Sequence, residues 1–182
     1  MYLIVIGCEY VGKTAFAEGL MEWGKPRGFD FHLDDHFTIP DSSLSTEDRD
    51  TMLGLSPEFK ERFQRFRAIY HVRLYYDYEP GFLAASQGRE LPKNTIMVLL
   101  TAAEETISER MEADPHDYQV IKKEDIPMLL EKFEEEFTAS TIHLKITIDT
   151  TDKTPAQVLD EFHRLAKPFL PTDDLIRMLM NP

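Results

Sequence analysis

The sequence predicts an α/β domain in three layers, a parallel sheet of about four to five strands flanked by helices. Three observations carry that prediction. Tyr2 to Ile6 is a continuous apolar run closed by Gly7, as expected of a strand buried on both faces. A similar run recurs at Ile96 to Leu100 and a further strand is read at Lys145 to Asp149, each followed by helical periodicity, and alternating strands and helices specify a parallel sheet. The 182 residues are 42% apolar and 11% aromatic, enough for one sizeable core and a single domain over 1–182.

Each element can be argued in chain order. After Gly7 a short loop leads into Lys13 to Met21, where Phe16, Leu20 and Met21 recur at helical spacing until Gly24 and Pro26 end the helix. Phe29 to Leu33 reads as the second strand, followed by the acidic pair Asp34 and Asp35. Residues 38–55 form a polar connection rich in Ser, Thr and Asp. Ser56 caps the next helix, with Pro57 in its first turn and Phe59, Phe63, Phe66 and Ile69 or Tyr70 on its apolar face; this helix is expected to run to about Leu74. Val72, Leu74 and Tyr76 also fit the period of a third strand ending at Asp77, but the helix is the preferred reading.

Residues 75–94 read as a loop holding one short helix. Ile96 to Leu100 is the next strand, and Thr101 with Glu104 forms a T-x-x-E capping box for a helix through Met111. Residues 112–125 read as a lid-like segment. The helix from Pro127 to Ser140 buries Leu129, Leu130, Phe133 and Phe137 and turns Glu134 to Glu136 toward solvent. Lys145 to Asp149 is the last strand. Thr154, Pro155 and Gln157 make a second capping box for a helix through Ala166, and Asp173 to Met180 is a short amphipathic tail.

In such a sheet, ligands bind at the carboxyl ends of the strands. Gly7-Cys8-Glu9-Tyr10-Val11-Gly12-Lys13-Thr14 occupies that position after the first strand and matches G-x-x-x-x-G-K-[ST]. The glycines let backbone N–H groups close around phosphate oxygens at a helix N-terminus. Lys13 would reach the β and γ phosphates of ATP, and Thr14 would give its hydroxyl to Mg2+. A chance match in a chain of this length is on the order of one percent before the flanking strand and helix are required.

Asp34 and Asp35 follow the second strand, where a carboxylate could orient or deprotonate an acceptor hydroxyl; strand alternation points them to different faces and leaves open which one acts. His36 beside them reads as a surface or hydrogen-bonded residue. Arg110, two turns into its helix, could stack on a base or reach phosphate. Lys122 and Lys123 lie in the lid-like segment, where closure over a triphosphate would use them.

Charge narrows the partners. A net charge of −13 repels nucleic acid and anionic lipid surfaces, so neither is an expected partner, and a phosphate ligand needs a dedicated cradle. Cys8 is the sole cysteine, which excludes an intramolecular disulfide. No apolar run approaches the roughly 18 residues of a membrane span, and the sequence begins directly on a strand, so a cytoplasmic location is expected.

The layout resembles the nucleoside and nucleotide kinase group of P-loop proteins, in particular thymidylate-kinase-like and deoxynucleoside-kinase-like members. Three blocks carry the likeness: Gly7 to Thr14 after Tyr2-Leu3-Ile4-Val5-Ile6; Ile96 to Met111, ending in Glu109-Arg110-Met111; and Ile146-Thr147-Ile148-Asp149 followed by Thr154-Pro155-Ala156-Gln157-Val158. The resemblance implies the P-loop NTPase fold with ATP and Mg2+. It implies further that Arg110 opens the lid and lies against adenine, that Thr150 to Lys153 line the base site, and that Asp34 or Asp35 contacts acceptor or magnesium. Two departures stand beside it. The group carries a third strand ending in Asp-Arg or Glu-Arg, for which Asp77-Tyr78 is the nearest candidate here, and its lid has several arginines that residues 112–125 lack.

The leading expectation is therefore an ATP-dependent kinase acting on a nucleoside, a nucleoside monophosphate or a similar small acceptor. A nucleotide-binding switch or weak NTPase working through a protein partner is the alternative; no Asn-Lys-x-Asp guanine-reading motif is present. A third reading, a fold retained for homodimer formation, draws on the apolar tail residues Leu175, Ile176, Leu179 and Met180.

Overall fold

A computed structural model describes residues 2–29, 31–34, 71–76, 93–115 and 121–180, with 32–34, 71–76 and 180 described in backbone only. Among the described residues, five strands form one sheet in the order β2-β3-β1-β4-β5: β1 Tyr2–Ile6, β2 Phe31–Asp34, β3 His71–Tyr76, β4 Thr95–Thr101 and β5 Leu144–Asp149. The α-helices among the described residues are α1 Lys13–Gly24, α2 Glu104–Ala113, α3 Ile126–Ala139, α4 Pro155–Ala166 and α5 Thr172–Met180.

β1, β4 and β5 pair in parallel, as the alternation of strands and helices foretold. Ile96, Met97, Val98, Leu99 and Leu100 of β4 are all buried, so both faces of the sheet are covered there. On these strands α1 packs against α4, α4 against β5, α3 against β4 and α2 against α3. Phe16 of α1 meets Phe162 of α4 edge to face, with ring centroids 5.2 Å apart. The buried apolar residues form one continuous core.

Three expectations need correction. Residues 71–76 are a strand, not the end of a helix, and the short run that fitted both periods follows period two because β1 and β2 supply ladder partners on either side. That strand is antiparallel to both neighbours, so the sheet is mixed rather than wholly parallel. The capping box proposed at Thr101 does not form. Thr101 stays in β4, paired with Asp149, and α2 begins at Glu104 with Ala103 at its N-cap and no side-chain cap.

The second box is present: Thr154 accepts from Gln157 N, and the Gln157 side chain accepts from Thr154 N. α3 and α4 lie within a residue of their expected bounds. Of the lid-like segment, α2 takes residues through Ala113, a 3-10 turn occupies Lys123–Asp125, and 116–120 lie outside the described residues. The helix expected from Ser56 lies outside them as well. Among the described residues, no helix is long and apolar enough to cross a membrane.

Candidate functional site

β1 is the centre of the sheet, with β3 on one side and β4 on the other, so the chain leaving its carboxyl end enters the crevice where connections diverge. Gly7 to Gly12 turn back on themselves there before α1 starts at Lys13. The turn uses three residues in left-handed backbone: Gly7 at φ 152°, Tyr10 at φ 64° and Gly12 at φ 93°. At Gly7 the constraint is steric as well, since a Cβ would come within 2.4 Å of the Leu100 carbonyl oxygen on β4. A Cβ at Gly12 would meet nothing within 4 Å. The loop is thus wedged against the sheet at its start and open at its end.

Lys13 is the first residue of α1, and its side chain curls back into the loop. The amine donates to Gly7 O and Cys8 O, both at 2.7 Å, and is buried. Burial lowers its pKa to about 8, against the raising effects of Cys8 and Glu9. It stays largely charged at neutral pH. Burial likewise pushes the Cys8 thiol up to about 12, against the pull of Lys13, which leaves the thiol protonated and unreactive. Glu9 is buried too, and its Oε2 accepts from Ile121 N at 3.4 Å. Thr14 is exposed in the first turn of α1. The first helical bond runs from Phe16 N to Gly12 O, so the preceding turn presents the positive end of the helix dipole to the crevice.

Arg110 is brought to this loop across 100 residues of sequence. Its Nη1 donates to Tyr10 O at 3.0 Å and to Thr150 Oγ1 at 3.1 Å, and its Nη2 donates to Thr150 O at 2.7 Å. Thr150 in turn donates its hydroxyl to Val11 O at 3.1 Å and its N–H to Thr101 O at 2.8 Å. One arginine and one buried threonine therefore lock three segments together: the loop after β1, α2, and the turn after β5. That turn is further held by Asp149, whose carboxylate accepts from the N–H and hydroxyl of Thr151 and is pulled below the usual range chiefly by that hydroxyl.

Among the described residues, two cavities flank the loop. One of about 500 Å³ is lined by Glu9, Lys13, Thr14, Glu18, Arg110 and Asp114 among others. The other, about 330 Å³, is lined by Val11, Ala15, Arg110, Lys153, Pro155 and Val158 among others. Arg110 borders both, so a ligand could place an anionic part beside Lys13 and Thr14 and a flat apolar part beside Pro155 and Val158.

The remaining candidates are not gathered here. Asp34 ends β2, which runs in the same direction as β1. Its register through Arg73 sets it level with Ile4, two strand spacings or roughly 10 Å to the side. Asp35, His36 and Asp77 lie outside the described residues. β3 ends at Tyr76, at the opposite edge of the sheet from Gly7, and it is His71 that pairs with Ile6. Lys122 and Lys123 pair with Glu124 and Glu112 at the surface rather than with the loop.

Thr150, Pro155 and Val158 gain their place only through the tertiary junction. The one advance signal for Thr150 was the resemblance, which assigned Thr150 to Lys153 to a base site; it gave Pro155 and Val158 no ligand role. Comparison with family models, curated proteins and solved structures returned no match for this chain.

Proposed function

We propose that the chain is a P-loop phosphotransferase that binds a magnesium nucleoside triphosphate, ATP in the first instance, and transfers its γ-phosphate to a small acceptor. The nucleoside or nucleoside-monophosphate kinases are the closest functional model. The observation that carries the reading is Lys13: a buried amine held by two carbonyls inside a left-handed loop at the N-terminus of α1. A buried cation beside a helix N-terminus and an open cavity is suited to an anion with several oxygens.

The residues present fit such a group. Lys13 and the first turn of α1 would hold the phosphates, and the Thr14 hydroxyl would face the metal. Magnesium bound there would offset charge that develops as the phosphoryl group transfers. The chain's own contribution is to position: Gly7 sets the loop against β4, Lys13 fixes a positive charge at its centre, and Arg110 with Thr150 fixes the wall of the second cavity. For the acceptor, Asp34 or Asp35 is the proposed base. The acceptor itself is the open half of the proposal.

The test is to incubate the protein with magnesium ATP alone and with a panel of nucleosides, nucleoside monophosphates and small alcohols, following ADP release. Release that depends on one acceptor class supports the kinase. Release independent of acceptor favours an NTPase or switch, and no binding of any nucleotide would sink both.

A further inference from the structure

We infer that Thr150 is a positioning residue for the phosphate loop: its buried hydroxyl holds the last part of the loop in the shape that turns N–H groups toward an anion. The inference rests on the triphosphate reading above and adds to it a residue, remote in sequence from the loop, that sets phosphate affinity.

A cradle for phosphate oxygens needs successive N–H groups turned to the same side. In a trans peptide the carbonyl of one residue and the N–H of the next point in opposite directions, so whatever holds the carbonyl aims the N–H. The carbonyls of this loop go two ways. Gly7 O and Cys8 O each accept from the Lys13 amine at 2.7 Å. Tyr10 O accepts instead from Arg110 Nη1 at 3.0 Å, and Val11 O from the Thr150 hydroxyl at 3.1 Å. The N–H groups of Val11 and Gly12 are thereby aimed away from Arg110 and Thr150. The change of direction falls at Tyr10, the non-glycine residue with positive φ among the described residues, at 64°. A side chain in left-handed backbone persists only where its surroundings hold it there.

Thr150 is the centre of that hold. Its hydroxyl donates to Val11 O and accepts from Arg110 Nη1 at 3.1 Å, and its carbonyl accepts from Arg110 Nη2 at 2.7 Å. It therefore fixes Val11 directly and aims the guanidinium that fixes Tyr10. Thr150 is itself anchored: it is buried directly after β5, and its N–H donates to Thr101 O of β4 at 2.8 Å. A loop ordered in this way before the ligand arrives keeps the cost of ordering out of the affinity. Valine at 150 would keep the shape, leave Val11 O and one Arg110 N–H without that partner, and let the loop relax.

The experiment is calorimetric titration of the full chain with magnesium tripolyphosphate, which carries no base and so reads the loop alone, and in parallel with magnesium ATP. Thr150→Val should weaken both by about ten- to a hundredfold, whereas Thr150→Ser, which keeps the hydroxyl, should bind within about threefold of the wild type. Thr154→Ala is the control for general loss of stability: it removes the cap of α4 and touches no loop atom, so its affinities should match the wild type. Thr150→Val binding as tightly as the wild type would overturn the inference. So would Thr150→Ser binding as weakly as Thr150→Val, or Thr154→Ala losing as much as Thr150→Val.

If Thr150→Val fails to fold, Thr150→Ala against Thr150→Ser isolates the same oxygen, and equal affinities in that pair overturn the inference. A wild type that binds neither probe brings down the triphosphate reading and this inference with it. A wild type that binds, with Thr150 variants that bind equally well, brings down the inference alone.

Discussion

At the scale of single residues, Lys13 is where chemistry and folding meet. Burial holds its pKa near 8 in the folded chain, against 10.5 ordinarily. Between those values the unfolded chain binds a proton that the folded chain does not, so this group's contribution to stability rises with pH across that window. The proposed phosphate binding would need the charged amine and run the other way. Triphosphate affinity should fall by about tenfold per pH unit above about 8, in titrations from pH 6.5 to 9.5. Lys13→Met should weaken binding by about ten- to a hundredfold, from the 1.5–3 kcal/mol of a charged hydrogen bond, and should lose that alkaline limb.

The two loop glycines separate two physical costs. Gly7→Ala drives a Cβ into the Leu100 carbonyl and should cost about 3 kcal/mol, whereas Gly12→Ala meets no atom and should cost only the left-handed strain of about 1–2 kcal/mol. Urea denaturation of both variants checks the difference. The glycine-rich turn from Gly7 to Gly12 and the helix start at Lys13 were readable in the sequence because such a turn is a local structure. Thr150 was not, because nothing in its neighbourhood announces that its hydroxyl will meet Val11.

At the scale of elements, α1 and α4 are joined through Trp23 and His163, whose rings lie 4.0 Å apart between centroids. Burial, with Arg27 adding to it, lowers His163 to about 4, against the raising effect of Asp160. From about 6.5 down to 4 the unfolded chain takes up a proton that the folded chain refuses, so stability is lost as pH falls through that window. Thermal unfolding midpoints between pH 7 and 4 should therefore drop more steeply in the wild type than in His163→Phe.

The start of α4 offers a plainer case: Thr154→Ala removes an observed cap and should cost about 1 kcal/mol by denaturation. Its Thr-x-x-Gln signature was legible because a cap is decided within four residues. The matching signature at Thr101 failed because β5 pairs with Thr101, and the Thr101 carbonyl accepts from Thr150 N. Sheet pairing overrode the local motif. Residues 71–76 were misread for a related reason: six residues carry too few periods to separate strand from helix until β1 and β2 stand beside them.

At the scale of the whole molecule, the loop is tied to β4 through Gly7, to α2 through Arg110 and to the turn after β5 through Thr150. A ligand seated there should stabilise the fold rather than one segment. Magnesium ATP at about 100 times its Kd should add about 2.7 kcal/mol, a rise in Tm of roughly 5–10 °C for a chain of this size. Lys13→Met should show far less of that rise at the same concentration. Scanning fluorimetry measures both.

The sequence by itself determined the α/β class, the central buried strand, the loop from Gly7 to Thr14 and the helix cap at Thr154, because each is set by contacts within a few residues or by the period of buried side chains. Tertiary structure alone decided that β3 runs antiparallel, that Thr101 stays in the sheet, and that Thr150, Pro155 and Val158 join Arg110 at the loop. Strand direction and convergence across 40 to 139 residues depend on which surfaces pack together, and no local pattern encodes that choice.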